Sequence, residues 1–144
     1  MILPLKNKFS FLTVYLMLFF ASCINSDQLP KYQGEKIIVN TNLFDEDFLG
    51  SVTILEAEVR NEMLYLKVGY SGCSPTDDWT LVFSERFLYS QPPTLQAKLI
   101  FEPVTDCGAY FTSNLKFDLE KIRSFAAGPY HITLQGWGKK LQVP

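Results

Sequence analysis

The covalent, acid–base and metal chemistry open to this chain of 144 residues rests on three cysteines, one histidine and two small groups of acids. Nucleophilic catalysis by Ser or Cys needs a base beside the nucleophile, and the one imidazole is His131. It stands in Tyr130-His131-Ile132-Thr133-Leu134, out of phase with its apolar neighbours, at a surface position of a strand, and no Gly-x-Ser-x-Gly elbow accompanies it. One histidine cannot build a zinc site, and the sequence contains no His-Glu-x-x-His. Asp77, Asp78 and Asp106 lie near Cys73 and Cys107, so a bond between those cysteines would gather the three acids on one rim. A hard cation such as calcium wants several oxygen ligands, and two carboxylates set in space can hydrolyse a glycoside. Those acids are the candidates for either. Asp is also common in turns because its carboxylate bonds the local backbone, and this is the preferred reading. Asp45-Glu46-Asp47 lacks the spacing of a calcium loop, and Gly69, Gly72, Gly136 and Gly138 are scattered at turns rather than forming a phosphate loop. The expectation is no catalytic residue, no metal site and no cofactor.

The cysteines divide by position. Lys6 and Lys8 precede an apolar run from Phe9 to Phe20 that closes in Phe20-Ala21-Ser22-Cys23. A basic start, a short apolar stretch and small residues before the cut mark a secretory signal, and a cysteine just after them reads as a lipobox, with Cys23 the lipidated new N-terminus. The alternative is an ordinary signal cut near Ala21 with Cys23 a plain thiol. The run is too short for a bilayer span of about 20 residues. Cys73 and Cys107 remain as an even pair in an exported, disulfide-permissive setting. A bridge between them would close a loop of about 35 residues and stabilise the fold by roughly 3–4 kcal/mol. A redox or metal-binding thiol pair is the competing reading, but Cys-x-x-Cys spacing and a second ligand pair are both missing.

The organisation is therefore a signal over 1–22, a polar tether over 23–34 and one domain over 35–144, a usual size for a single domain. Removing the signal takes Lys6 and Lys8 and no acid, which leaves 11 basic against 15 acidic residues and lowers the net charge from −2 to −4. Nucleic-acid binding rests on clustered Lys and Arg, and Lys139-Lys140 alone does not make such a cluster. It reads as the solvated end of an edge strand.

Period-two alternation positions these residues. Glu35 to Asn40 is a β-branched run, and Asn42 to Gly50 reads as an acidic loop. In Ser51 to Val59, residues Thr53, Leu55, Ala57 and Val59 share one face, with Glu56, Glu58 and Arg60 on the other. Asn61-Glu62 turns the chain into a return strand with Leu64, Leu66, Val68 and Tyr70 opposite Met63, Tyr65 and Lys67, a hairpin. Trp79, Leu81 and Phe83 share a face before a kinked continuation through Phe87 to Tyr89, which Gln91-Pro92-Pro93 ends. Leu95, Ala97, Leu99 and Phe101 form the next inward row. Ala109, Phe111, Ser113, Leu115 and Phe117 make the longest alternation and a central strand. Asp118 caps a helical turn near 118–125, its first turn carrying Glu120 where the helix dipole favours an acid. Tyr130, Ile132 and Leu134, then Trp137 to Val143, complete the set.

Seven or eight strands without a long helical period predict an all-β fold, an antiparallel two-sheet β-sandwich that is immunoglobulin-like in architecture, with a small barrel as the alternative. Cys73 and Cys107 would then staple two loops at one end.

The segments Gly69-Tyr70-Ser71-Gly72-Cys73, Pro92-Pro93, Asp106-Cys107 and Leu115-Lys116-Phe117-Asp118-Leu119 resemble a group of small uncharacterised Bacteroidetes-type lipoproteins over roughly residues 69–119. Members of that group often carry a His a few residues after the first cysteine; Thr76 or Asp77 stands there in this chain, so no metal-binding or catalytic idea resting on that His carries over. The resemblance implies location and the disulfide, and supplies no activity. Taken together, the sequence predicts a bacterial cell-envelope lipoprotein, tethered by its lipid to the inner or outer membrane with the domain outside the cytoplasm. It would serve as a non-enzymatic binding or structural module that meets a protein or glycan partner through end loops or a strand edge. The alternative is a small hydrolase or calcium-dependent binder built on the acidic rim.

Overall fold

In the computed structural model, residues 32–33, 36–48, 52–75, 78–102 and 108–144 are described. The apolar rows of the sequence become nine strands among these residues: β1 (Tyr32–Gln33), β2 (Lys36–Val39), β3 (Val52–Arg60), β4 (Met63–Gly72), β5 (Trp79–Leu88), β6 (Thr94–Phe101), β7 (Ala109–Asp118), β8 (Tyr130–Leu134) and β9 (Lys140–Val143). They form two sheets. The first has the order β1-β7-β4-β3 and the second the order β2-β5-β6-β8-β9. Their inward rows meet in one core, in which Leu64, Leu66, Val68 and Tyr70 of β4 and Leu115 and Phe117 of β7 face Leu81, Phe83, Leu95, Ala97 and Ile132. Tyr70, Trp79 and Phe101 pack ring to ring at 4.9–5.3 Å between centroids at the end of the sandwich where β4 runs out. Trp79 is thus a plain core residue.

The two-sheet, all-β architecture is as expected, but the sheets are mixed rather than antiparallel. Three pairings are parallel: β1 with β7, β2 with β5, and β6 with β8. A parallel neighbour needs a crossover rather than a hairpin, and local alternation encodes which face a residue takes, not which strand lies beside it. Tyr32 and Gln33, within the stretch read as tether, form the short edge strand β1.

Other differences have local causes. The pairing of β3 with β4 shifts between Ile54 and Glu56. This bulge turns Ile54 into the core and Leu55 out to solvent, so the single inward row from Thr53 to Val59 does not hold. The segment read as an acidic loop contains a short helix, α1 (Thr41–Asp45), started by Asn40, whose side chain accepts a hydrogen bond from the Leu43 N–H at 2.9 Å. Helix α1 lies on the outer face of β5, where Thr41 Oγ1 accepts from the Glu85 N–H at 3.0 Å and Lys98 Nζ donates to the Phe44 carbonyl at 3.3 Å. That cover explains why Val82 and Ser84 are buried although they point away from the core. The helical turn after β7 is a 3₁₀ segment (Leu119–Ile122), with the Asp118 side chain accepting from the Glu120 N–H at 3.0 Å. The last strand begins at Lys140 rather than Trp137.

Candidate ligand-binding face

Cys73 follows β4 directly. Asp78 is exposed at the entry to β5, and Asp77, Asp106 and Cys107, like Cys23, lie outside the described residues. No group of three or more His, Cys, Asp or Glu able to hold a metal ion occurs among the described residues. His131 is half-buried in β8, where its backbone N–H donates to the Pro93 carbonyl at 2.9 Å, and its register partners are Thr94 and Gln142. Neither register partner is an acid.

The structure instead assembles a polar and aromatic surface on the outward face of the first sheet. Alternation sends Met63, Tyr65, Lys67, Gly69 and Ser71 of β4 outward, and register sets beside them Tyr110, Thr112, Asn114 and Lys116 of β7. On one flank β3 adds Glu56 opposite Lys67 and Glu58 opposite Tyr65. On the other flank β1 adds Tyr32 opposite Asn114. Residues from four separate stretches thereby share one surface.

Its centre is Tyr65. The Tyr32 ring meets it edge to face at 5.3 Å, the Arg60 guanidinium lies 5.2 Å from its centroid, and Lys116 Nζ lies 6.0 Å away. Arg60 is ion-paired with Glu58, and the hydrogen bond the guanidinium donates to that carboxylate raises its pKa above the usual value. Lys67 Nζ reaches Glu56 Oε1 at 3.2 Å. These pairs are solvent-exposed and add little to stability, but they hold donors and acceptors around the rings. A groove of about 340 Å³ runs across the face, bordered by Tyr32, Tyr65, Asn114, Glu56 and Glu58 and reaching Trp137 by the β3 bulge. The Trp137 indole N–H is buried without a hydrogen-bond partner among the described residues.

Tyr110 extends the surface. It is 61 % exposed, and the hydroxyl end of its ring covers Gly69: a Cβ built at that glycine would stand 1.8 Å from the Tyr110 hydroxyl oxygen. Only glycine admits the ring there, the known way an aromatic neighbour covers a strand glycine. An aromatic ring offers an apolar face and Tyr also a polar tip, while Glu, Asn and Lys supply both acceptors and donors. This arrangement can stack on the C–H face of a hydroxylated ring and bond its hydroxyls. Sequence reasoning counted Tyr65, Tyr110 and their neighbours as the solvent side of their strands and left Tyr32 in the tether; the signal was the recurrence of tyrosine at outward positions, where a merely soluble surface has no need of it.

No helix among the described residues is long and apolar enough to cross a membrane. No family model matches the chain, and the curated proteins contain no match to it. Among solved structures, it is similar to a protein of unknown function, DUF1344, from Bacteroides vulgatus, with a TM-score of 0.49 and 14 % identity over 80 % of this chain. The chain spans 56 % of the length of that neighbour.

Proposed function

We propose that this chain is a lipid-anchored cell-envelope module that binds a glycan through the tyrosine face of the first sheet and carries out no covalent chemistry on it. The observation that carries the reading is the grouping of Tyr32, Tyr65 and Tyr110 on one outward surface beside Glu56, Glu58, Asn114 and Lys67. The groove is open and shallow, fit for part of a chain of sugars rather than for a ligand closed off from water. Anchorage rests on the basic start, the apolar run and the Ala21-Ser22-Cys23 sequence. The Cys73 disulfide closes on Cys107 in this reading, and the β4–β7 register supports it. Gly72, the neighbour of Cys73 in the chain, is opposite Ala109 at the end of that ladder.

The test is titration of the full chain against a panel of neutral and uronate-bearing oligosaccharides, with Tyr65→Ala and Tyr89→Ala compared. Tyr89 is fully exposed and away from the groove. The expected result is saturable binding of at least one oligosaccharide, weakened about tenfold or more by Tyr65→Ala, a loss of about 1.4 kcal/mol, and unchanged by Tyr89→Ala. Binding of none of the panel, or equal binding by both variants, overturns the reading.

A further inference from the structure

At the opposite extreme from Cys73, the β3–β4 hairpin, the 3₁₀ segment and the start of β8 enclose a second cavity of about 360 Å³. It is separate from the tyrosine face and goes beyond the function proposed above. Its walls include Leu119, Ala126 and Val143, all buried, and its polar groups are Glu62, Arg123 and Tyr130.

Each polar group has a structural reason to be there. Asn61 and Glu62 form the hairpin turn with φ of 49° and 60°, left-handed values for which such a turn ordinarily uses Asn-Gly. Glu in the second place is strained by comparison. The turn is held by the Glu62 carbonyl, which accepts from the Leu119 N–H at 2.9 Å, and the Glu62 carboxylate is ion-paired with Arg123. The two charges cancel at the rim of the cavity. Tyr130 is 2 % exposed, and its hydroxyl makes no hydrogen bond among the described residues. Tyr130 lines the cavity beside its apolar walls, so the hydroxyl is open to a partner that enters there. Burial pushes the Tyr130 phenol above its usual pKa, while the Arg123 charge pulls the other way. The hydroxyl therefore keeps its proton and can donate as well as accept.

We infer that this cavity is a binding site for a small neutral amphiphile, an alcohol or phenol whose oxygen pairs with the Tyr130 hydroxyl and whose apolar body lies against Leu119, Ala126 and Val143. The Glu62–Arg123 pair is already neutralised and leaves no net charge to balance one on the ligand, so a charged head group would lose its water without compensation. The volume is at the small end of ligand pockets, which run from roughly 300 to 1,000 Å³, so the body is short.

The test is backbone-amide NMR of the full chain titrated with hexanol, hexanoate and hexylamine. The expected result is saturable shifts confined to residues around Ala126, Gly128 and Tyr130 with hexanol, and at least tenfold weaker binding of both charged probes. Tyr130→Phe keeps the ring and removes only a hydroxyl that has no protein partner, so it is expected to fold as the parent does and to bind hexanol roughly tenfold more weakly. Ala126→Met places a flexible side chain in the cavity and is expected to abolish the shifts. Hexanol shifts spread over the surface, equal binding of the three probes, or full hexanol affinity in both variants overturns the proposal.

Discussion

The close approach of Tyr110 to Gly69 allows fold and ligand-binding face to be perturbed separately. Gly69→Ala adds one methyl group at a position where a Cβ would stand 1.8 Å from the Tyr110 hydroxyl oxygen and 2.5 Å from the adjoining ring carbon. The obstructing atoms are the far end of an exposed side chain, so the ring swings off the sheet rather than the backbone moving. Two terms then oppose each other. Losing a cross-strand aromatic contact costs about 0.2–1 kcal/mol, while Ala in place of Gly within a strand returns about 0.5–1 kcal/mol of backbone entropy. The net change is close to zero, which for a domain of this size is a shift in melting temperature of no more than a few degrees, since about 1 kcal/mol corresponds to roughly 4–8 °C. In a Tyr110→Ala background the ring is already gone, and the same glycine substitution stabilises by the full 0.5–1 kcal/mol or so. A double-mutant cycle by thermal and urea denaturation therefore yields a coupling of about 0.2–1 kcal/mol. On the tyrosine face, Gly69→Ala displaces Tyr110 without unfolding the protein, so oligosaccharide affinity falls while stability holds. Strictly additive effects would refute the placement of the ring on Gly69, and a large destabilisation by Gly69→Ala would refute the argument that the side chain, not the sheet, gives way.

Three further outcomes follow from particular groups. The folded-state pKa of Tyr130 is raised by burial, so its contribution to stability is fully present below the unfolded value of 10.0 and is lost as pH rises through the folded value; denaturation curves at increasing alkaline pH are expected to show a steeper loss for the parent than for Tyr130→Phe. Mass spectrometry of membrane-extracted protein is expected to give residues 23–144 plus lipid, about two daltons lighter before reduction than after for one S–S bond, and reduction is expected to remove roughly 3–4 kcal/mol of stability. Asp118→Ala removes the cap on the 3₁₀ segment and is expected to cost about 1 kcal/mol in denaturant unfolding, an effect that Asp118→Asn largely avoids.

Much of the β architecture was legible residue by residue. The inward rows Leu64 to Tyr70 and Leu95 to Phe101 are buried as the alternation predicts, because a strand turns successive side chains to opposite faces and a core selects apolar ones. The hairpin at Asn61-Glu62 and the Asp118 cap were legible for the same reason: each depends on residues a few positions apart. The β3 bulge and helix α1 were not. The bulge is one extra residue that the partner strand β4 defines, and α1 is held by Glu85, Arg86 and Lys98, more than 40 positions away.

The same division runs through the candidate sites. The polar search pointed to Asp77, Asp78 and Asp106 and to His131, since acids and imidazole are recognised by type alone. Tyr65 and Tyr110 read singly as ordinary outward residues and Tyr32 as part of the tether; they become a surface only when β1 joins β7 in parallel and β4 separates β7 from β3. Glu62, Arg123 and Tyr130 enclose a cavity only because the end of one sheet meets the start of β8 in the other. By itself, the sequence determined the β character of the domain and the buried face of most strands, since these depend on residue type and on a period of two. The parallel pairings, the tyrosine face and the end cavity were decided by tertiary structure, because each is a relation between stretches distant in the chain, set by which packing of both sheets buries all the inward rows at once.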